Sequence, residues 1–307
     1  MHVGKYGHAS FFGRKFLTVK EFKMIGHLKM HAAFLTAFAL VSFASASMTT
    51  PVAAQTVVQE VNVAASRERE LELRVWRAEE PMAVIVFSAG GNGNPGAYSR
   101  LNTALAKRGI VVVAPIHADA LARGDLAGSG GLDSFMSRIE DLGIAREYAR
   151  STYPDVPLVV MGHSFGTMMS SLSAGAVTPA GPQSDPSVKA FIALSSPGLL
   201  PEVVTAESYQ TLSVPLLLVT GQQDTVPRFV TDWRIHRAIY DNSVTPGSQL
   251  VVFHDADHDF VVDADDTQLE ALSMLIASFV QASTTGTDDS KARLLAIELD
   301  GATIERR

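Results

Sequence analysis

The 307-residue chain contains no cysteine. Disulfides, thiol nucleophiles and cysteine-ligated metal sites are excluded at once, and the compartment has to be read from other features. Charged residues are few, 19% against 47% hydrophobic, a balance that suits a well-packed globular core and not a solvated, disordered chain. Long apolar runs are also missing. The stretch Ala32 to Phe43 falls well short of the ~20 residues that span a bilayer.

That stretch has a second meaning. Residues 1–54 carry Lys5, Arg14, Lys15, Lys20, Lys23 and Lys29 against the single acid Glu21, then the apolar run, then small residues at Ala44-Ser45-Ala46 and Val52-Ala53-Ala54. A basic segment, an apolar core and small residues in that order read as a secretory signal. Cleavage after Ala54 leaves Gln55 as the mature start, and Met24 or Met30 are alternative points of initiation. The expected location is therefore periplasmic or secreted. The remaining chain has nineteen basic and thirty-one acidic residues, a net charge of −12, which disfavours nucleic acid and anionic membranes as partners.

From Thr56 onward, apolar runs alternate with amphipathic segments, the pattern of repeated βα units. Val57 to Val63 and Leu71 to Trp76 alternate in polarity and read as antiparallel strands near an edge. Ala83 to Phe87, Ile110 to Ala114, Leu158 to Met161, Ala190 to Leu194, Leu216 to Thr220 and Leu250 to His254 read as buried parallel strands. Helices are predicted at Ala97 to Arg108, Ser134 to Tyr153, Thr167 to Ala176, Arg228 to Tyr240 and Thr267 to Ser283, on both faces of the sheet. The short segment Leu199 to Ser213 leaves room for a minimal lid only. The expected division is a signal region 1–54, a catalytic domain 55–284 and a tail 285–307, with Thr284 to Ser290 as a linker.

The most informative segment is Pro157-Leu-Val-Val-Met-Gly-His-Ser-Phe-Gly-Thr-Met-Met169. A buried strand stops at Gly162-His-Ser-Phe-Gly166 and a small-residue helix follows. Glycines two residues either side of a serine remove the Cβ atoms that obstruct so sharp a strand-to-helix turn, and the strained turn lifts the Ser164 hydroxyl clear of the sheet as a nucleophile.

A serine hydroxyl needs a base within hydrogen-bond reach and an acid to orient that base. Beyond the signal region the histidines are His117, His163, His236, His254 and His258. His258 lies in the polar loop Asp255-Ala-Asp-His-Asp-Phe260 directly after the last core strand, where open α/β sheets gather their sites, and is the preferred base, with His254 in reserve. Asp224 leaves another strand end in the same way, with Asp119 as its competitor. Val84-Ile-Val-Phe-Ser-Ala-Gly-Gly-Asn-Gly-Asn94 is a strand entering a glycine-rich turn without the Lys-Ser/Thr of a phosphate loop. An oxyanion hole from the N–H groups of Gly91 and Phe165, with Gly90 as a further donor, fits it better. Met168, Met169, Phe165 and Tyr98 are either acyl-pocket wall or core.

Phe87-Ser-Ala-Gly-Gly91, Gly109-Ile-Val-Val-Val-Ala-Pro115, Gly162-His-Ser-Phe-Gly166, Gly221-Gln-Gln-Asp224 and Asp257-His258, in the chain order Ser164, Asp224, His258, resemble an α/β-hydrolase over about residues 70 to 283. The resemblance implies an α/β fold with a mostly parallel central sheet. Spacing and the short lid resemble the dienelactone-hydrolase-like and platelet-activating-factor-acetylhydrolase-like esterases. Two positions depart from that pattern: the nucleophile is serine where dienelactone hydrolases have cysteine, and Ala89 stands where a histidine usually precedes the oxyanion glycine. The expectation is a serine carboxylester hydrolase that needs no metal or organic cofactor, acting on a small-molecule or polymeric ester. An amide or peptide hydrolase with the same triad is the first alternative, and a non-catalytic binding protein of the same fold the second.

Overall fold

The computed structural model describes residues 57–66, 69–121, 123–124, 126 and 131–307. The expected signal region and its cleavage sites lie outside the described residues. A nine-stranded sheet runs in the order β1-β2-β4-β3-β5-β6-β7-β8-β9, with β1 Val58–Ala64, β2 Glu70–Trp76, β3 Ala83–Ser88, β4 Ile110–Pro115, β5 Leu158–His163, β6 Val188–Leu194, β7 Leu216–Gly221, β8 Gln249–Phe253 and β9 Ala302–Arg306. Strands β3 to β8 pair in parallel. Their side chains are almost wholly buried, the result of helices covering both faces. β1 is antiparallel to β2 and largely exposed, the alternating edge strand that its sequence predicts.

The helices are α1 Ser99–Lys107, α2 Gly131–Thr152, α3 Phe165–Ser173, α4 Ala206–Gln210, α5 Ala238–Asn242, α6 Phe260–Asp263, α7 Asp266–Thr285 and α8 Asp288–Leu295. Successive strand residues point to opposite faces, so the core divides in two. Ile85, Phe87, Val112, Met161 and Val219 pack with Leu101 and Leu105 of α1 and Leu272 and Phe279 of α7. Val84, Val86, Val111 and Val160 pack on the other side with Phe135 and Leu142 of α2 and Met168 and Leu172 of α3. Between β6 and β7 only the five-residue α4 intervenes, and the lid is as small as expected. Among the described residues no helix is long and apolar enough to cross a membrane.

Two segments differ from the sequence expectation. The span Arg228 to Tyr240 is not one helix: Val226 and Val230 form a β-bridge, Arg228 sits at φ 73°, and only the 3-10 helix Trp233–Arg237 and α5 follow. The residues after Thr284 are not a linker and tail. Gly286, left-handed at φ 64°, ends α7, the Thr287 hydroxyl caps α8, and β9 then pairs antiparallel with β8. The central sheet therefore extends to Arg306, fastened by a forked ion pair from Arg237 to Glu305.

Candidate active site

The turn Gly162–Gly166 joins β5 to α3. Ser164 has φ 53° and ψ −124°, a region that costs a non-glycine residue about 1–3 kcal/mol and persists only where surroundings enforce it. The flanking glycines are that enforcement. A Cβ on Gly162 would stand 2.2 Å from the Gly166 carbonyl oxygen, and one on Gly166 would stand 2.1 Å from the Ser88 carbonyl oxygen. The Ser164 side chain is partly exposed, and its hydroxyl has no hydrogen-bond partner among the described residues. It is free to meet a substrate.

Asp224, in the loop after β7, is fully buried. Its Oδ1 accepts a hydrogen bond from His258 Nδ1 at 2.7 Å, and its Oδ2 accepts from Ser195 Oγ at 2.6 Å and Thr220 Oγ1 at 2.7 Å. Burial alone would push its carboxyl up; the hydrogen bonds from His236, His258 and Ser195 overcome this and hold it far below the usual carboxylate range. Because His258 Nδ1–H is committed to Asp224, Nε2 is the ring nitrogen left to exchange a proton.

The loop bearing His258 is tied to the turn that carries Ser164. His163 Nε2–H donates to the His258 carbonyl at 3.0 Å, and the two rings lie 4.8 Å apart. His163 Nδ1 must then accept, and the Tyr98 hydroxyl donates to it at 2.9 Å. Burial, with the nearby His258 second, pushes His163 down to about 3, so it is a neutral strut and not a base.

The glycine turn after β3 is built from its carbonyls. Arg138 of α2 is wholly buried and donates to the carbonyl oxygens of Ala89 at 2.7 Å and Gly90 at 2.8 Å. Its Nε and Nη2 fork onto both carboxylate oxygens of Asp119, each at 2.9 Å. In a planar trans peptide the N–H points opposite the C=O. Holding the Gly90 carbonyl therefore turns the Gly91 N–H the other way. The amides of Gly90, Asn92, Gly93 and Gly96 are taken internally, by the Tyr98 hydroxyl, Asp119, the Gly90 carbonyl and Asn94 respectively. That of Gly91 has no acceptor among the described residues. Gly91 faces Phe165, since a Cβ on it would lie 3.7 Å from Phe165 Cβ, and the Phe165 N–H is a helix-start donor without an intrahelical partner. Gly91, Gly93 and Gly96 also fit the spacing G-x-G-x-x-G, but amides consumed internally beside the carboxylate of Asp119 cannot cradle a phosphate.

Sequence reasoning thus brings Ser164, Asp224, His258, Gly91 and Phe165 to one rim of the sheet. Gly90 is not a free donor. Asp119 serves the turn, and His254 is exposed and bonded to Thr303 at 3.2 Å. Met169 and Tyr98 are core, while Met168 and Phe165 line a cavity of about 500 Å³ with Phe135, Met136, Leu200 and Val203. The bracing residue Arg138 was not legible, because nothing local marks an arginine in an amphipathic helix as buried. A second Ser-His-Asp chain runs through Ser88, His117 and Asp141, with Ser88 Oγ 3.0 Å from His117 Nε2 and His117 Nδ1 2.9 Å from Asp141. All three are fully buried, so no substrate can reach that hydroxyl, and the chain serves to pack α2 under the turn.

The fold is that of an α/β-hydrolase. A family described as Serine aminopeptidase, S33, matches residues 79–206, a span that holds the glycine turn and Ser164 but ends before Asp224 and His258. The esterase domain of a Rhodothermus marinus protein superposes with TM-score 0.52 at 18% identity, covering 73% of this chain and 98% of that one. A highly thermostable carboxyl esterase from Bacillus coagulans gives 0.58 at 15%, covering 74% and 99%, and an alpha-beta serine hydrolase homologue from Coxiella burnetii 0.54 at 20%, covering 71% and 95%. No curated protein matches the chain.

Proposed function

We propose that this protein is an exported carboxylester hydrolase working through an acyl-enzyme, with Ser164 as nucleophile, His258 as base and Asp224 as its orienting acid. The observation that carries this reading is the 2.7 Å Asp224–His258 hydrogen bond at the same strand ends as a strained serine with an unpartnered hydroxyl. Ser164 Oγ attacks the ester carbonyl carbon while His258 Nε2 takes its proton. The carbonyl oxygen becomes an oxyanion that the Gly91 and Phe165 N–H groups receive, each such donor contributing about 3 kcal/mol at the transition state. Collapse breaks the carbon–alkoxide bond, His258 returns the proton to the leaving alcohol, and water repeats the sequence to release the acid and restore Ser164. Every step is served by this chain's own side chains and amides.

The cavity beginning at Phe165 suggests the substrate. Its walls are chiefly apolar, from Phe135, Met136, Met168, Leu200 and Val203, and about 500 Å³ suits an acyl group of medium length. Export rests on the signal pattern of residues 1–54, and N-terminal sequencing of the protein recovered outside the cytoplasm tests it, Gln55 being the expected first residue.

A second reading has its own support. The matching family carries the description of an aminopeptidase, and Glu202 lies at the edge of the same cavity, where its carboxylate could receive a substrate ammonium. A panel of p-nitrophenyl acyl esters of two to twelve carbons, run beside aminoacyl p-nitroanilides, separates the two. We expect turnover of the esters with an optimum at intermediate chain length. Faster turnover of the anilides, abolished in Glu202→Gln, would transfer the assignment to the aminopeptidase reading.

A further inference from the structure

A triad aspartate needs to hold one imidazole, and Asp224 holds two. His236, in the 3-10 helix Trp233–Arg237, is fully buried and places Nε2 2.9 Å from Asp224 Oδ1, the same oxygen that His258 Nδ1 contacts. His236 Nε2 also lies 3.1 Å from the Asp224 backbone carbonyl oxygen. Its other nitrogen, Nδ1, points at the backbone carbonyl of Ser196. A carbonyl oxygen and an ionised carboxylate accept only. Both His236 nitrogens must therefore carry hydrogen, because either neutral tautomer would set a lone pair against an oxygen where no water can intervene. The ring is an imidazolium locked inside the protein.

Coordination of a metal by Asp224, His236 and His258 is the competing use of the same three groups, whose ligand atoms lie within 4.8 Å of one another. The spacings argue against it. Two ligands on a tetrahedral zinc at about 2.0–2.1 Å each stand about 3.3 Å apart, whereas the nitrogens here lie 2.7 and 2.9 Å from Asp224 Oδ1, the lengths of charge-assisted hydrogen bonds.

We propose that His236 is a positioning residue of the triad: a buried cation that shares Asp224 Oδ1 with His258 and anchors the carboxylate at the end of β7 in the orientation that holds the His258 ring. The proposal rests on the triad reading given above. The rings of His236 and His258 stack at 6.1 Å with an interplanar angle of 19°, so the two imidazoles approach the carboxylate side by side. The other groups around the pair do not replace it. Ser195 and Thr220 donate to the far carboxylate oxygen, and His163 is neutral. Arg234 is paired with Asp232, and Arg237 with Asp241 and Glu305. Asp257 and Asp259 flank His258 in its loop, the Asp257 carboxylate accepting the Asp259 N–H. Burial disfavours the charged form of His236, but Asp224 and the Ser196 carbonyl outweigh it and hold its proton above the ordinary histidine range.

The test reads two signals. In wild-type protein, nitrogen-15 NMR of the imidazoles at pH 8.5 should show both ring nitrogens of His236 bearing protons; a lone-pair shift on either would overturn the proposal. In His236→Gln, which removes the cation but leaves Asp224 one donor, kcat on a p-nitrophenyl ester should fall by on the order of tenfold with KM little changed. A kcat within twofold of wild type, or a loss that falls on KM instead of kcat, overturns it. Activity that EDTA abolishes and zinc restores overturns it in favour of a metal site. If wild-type activity survives in Ser164→Ala the triad reading fails instead, and the NMR result still decides the state of His236.

Discussion

Replacing Arg138 by lysine probes how the proposed oxyanion hole is held without the usual preceding histidine. The guanidinium donates to two carbonyls of the glycine turn, to both oxygens of Asp119 and, at 3.3 Å, to Ser88 Oγ. Lysine keeps a positive charge for Asp119, whose side chain is only 3% exposed, but a single ammonium cannot span the turn and the carboxylate together. One or two buried carbonyls are left unsatisfied at about 1–3 kcal/mol each, so the melting temperature should fall by several degrees. The Gly90–Gly91 peptide, no longer held by its oxygen, loses the orientation of its N–H. Full loss of one oxyanion donor is worth about 100- to 1000-fold in kcat, and partial misalignment should give roughly 30- to 100-fold. KM should change little, since Arg138 does not line the acyl cavity. The assay is kcat and KM on a medium-chain p-nitrophenyl ester, with circular dichroism to establish folding. A folded Arg138→Lys protein with kcat within threefold of wild type would refute the bracing role.

Two other perturbations test the packing around the site and the ion pairs of α2. Gly166→Ala places a methyl 2.1 Å from the Ser88 carbonyl oxygen, backbone that cannot move without separating α3 from β3, and the variant should be insoluble or melt at least 10 °C lower; wild-type stability would contradict the close approach. Asp185 joins the start of β6 to α2 by accepting from Ser187, Arg146 and Arg150. Burial would push its carboxyl up, but Ser187 and Arg150 outweigh it and hold it at about 2. A depressed carboxyl stabilises the fold above its unfolded value near 4 and loses that contribution as pH falls from about 4 to 2. Asp185→Asn should therefore cost about 2 kcal/mol at pH 7 and well under 1 kcal/mol at pH 2, where the folded carboxyl is already half protonated, as urea unfolding at the two pH values would show. An equal cost at both would show that the charge is not what matters.

The fold was legible in outline because its central strands are continuous apolar runs bounded by helices, a pattern that only a parallel sheet covered on both faces produces. Edge features were harder to see. β9 reads Ala-Thr-Ile-Glu-Arg, five residues with no apolar run, and it exists because β8 offers an unpaired edge that a local pattern cannot reveal. The candidate site was legible where chemistry and turn geometry coincide in sequence, at Gly162 to Gly166 and at the polar loops bearing Asp224 and His258. It was illegible where a residue acts from a distance. Arg138 lies 48 residues from Gly90, and His236 is an unremarkable histidine in a basic helical stretch until the fold sets it against Asp224. The same holds for Tyr98 and His163, whose relay from the Gly90 amide to the His258 carbonyl joins three separate loops.

The central claim is that the Ser164 hydroxyl is the activated nucleophile. Fluorophosphonate labelling of the folded protein at pH 8, followed by mass spectrometry of the tryptic peptides, reads it directly. The account predicts a single adduct on Ser164 that is absent in Ser164→Ala and much slowed in His258→Gln. An adduct on another residue, or none on folded protein that still hydrolyses esters, would contradict it.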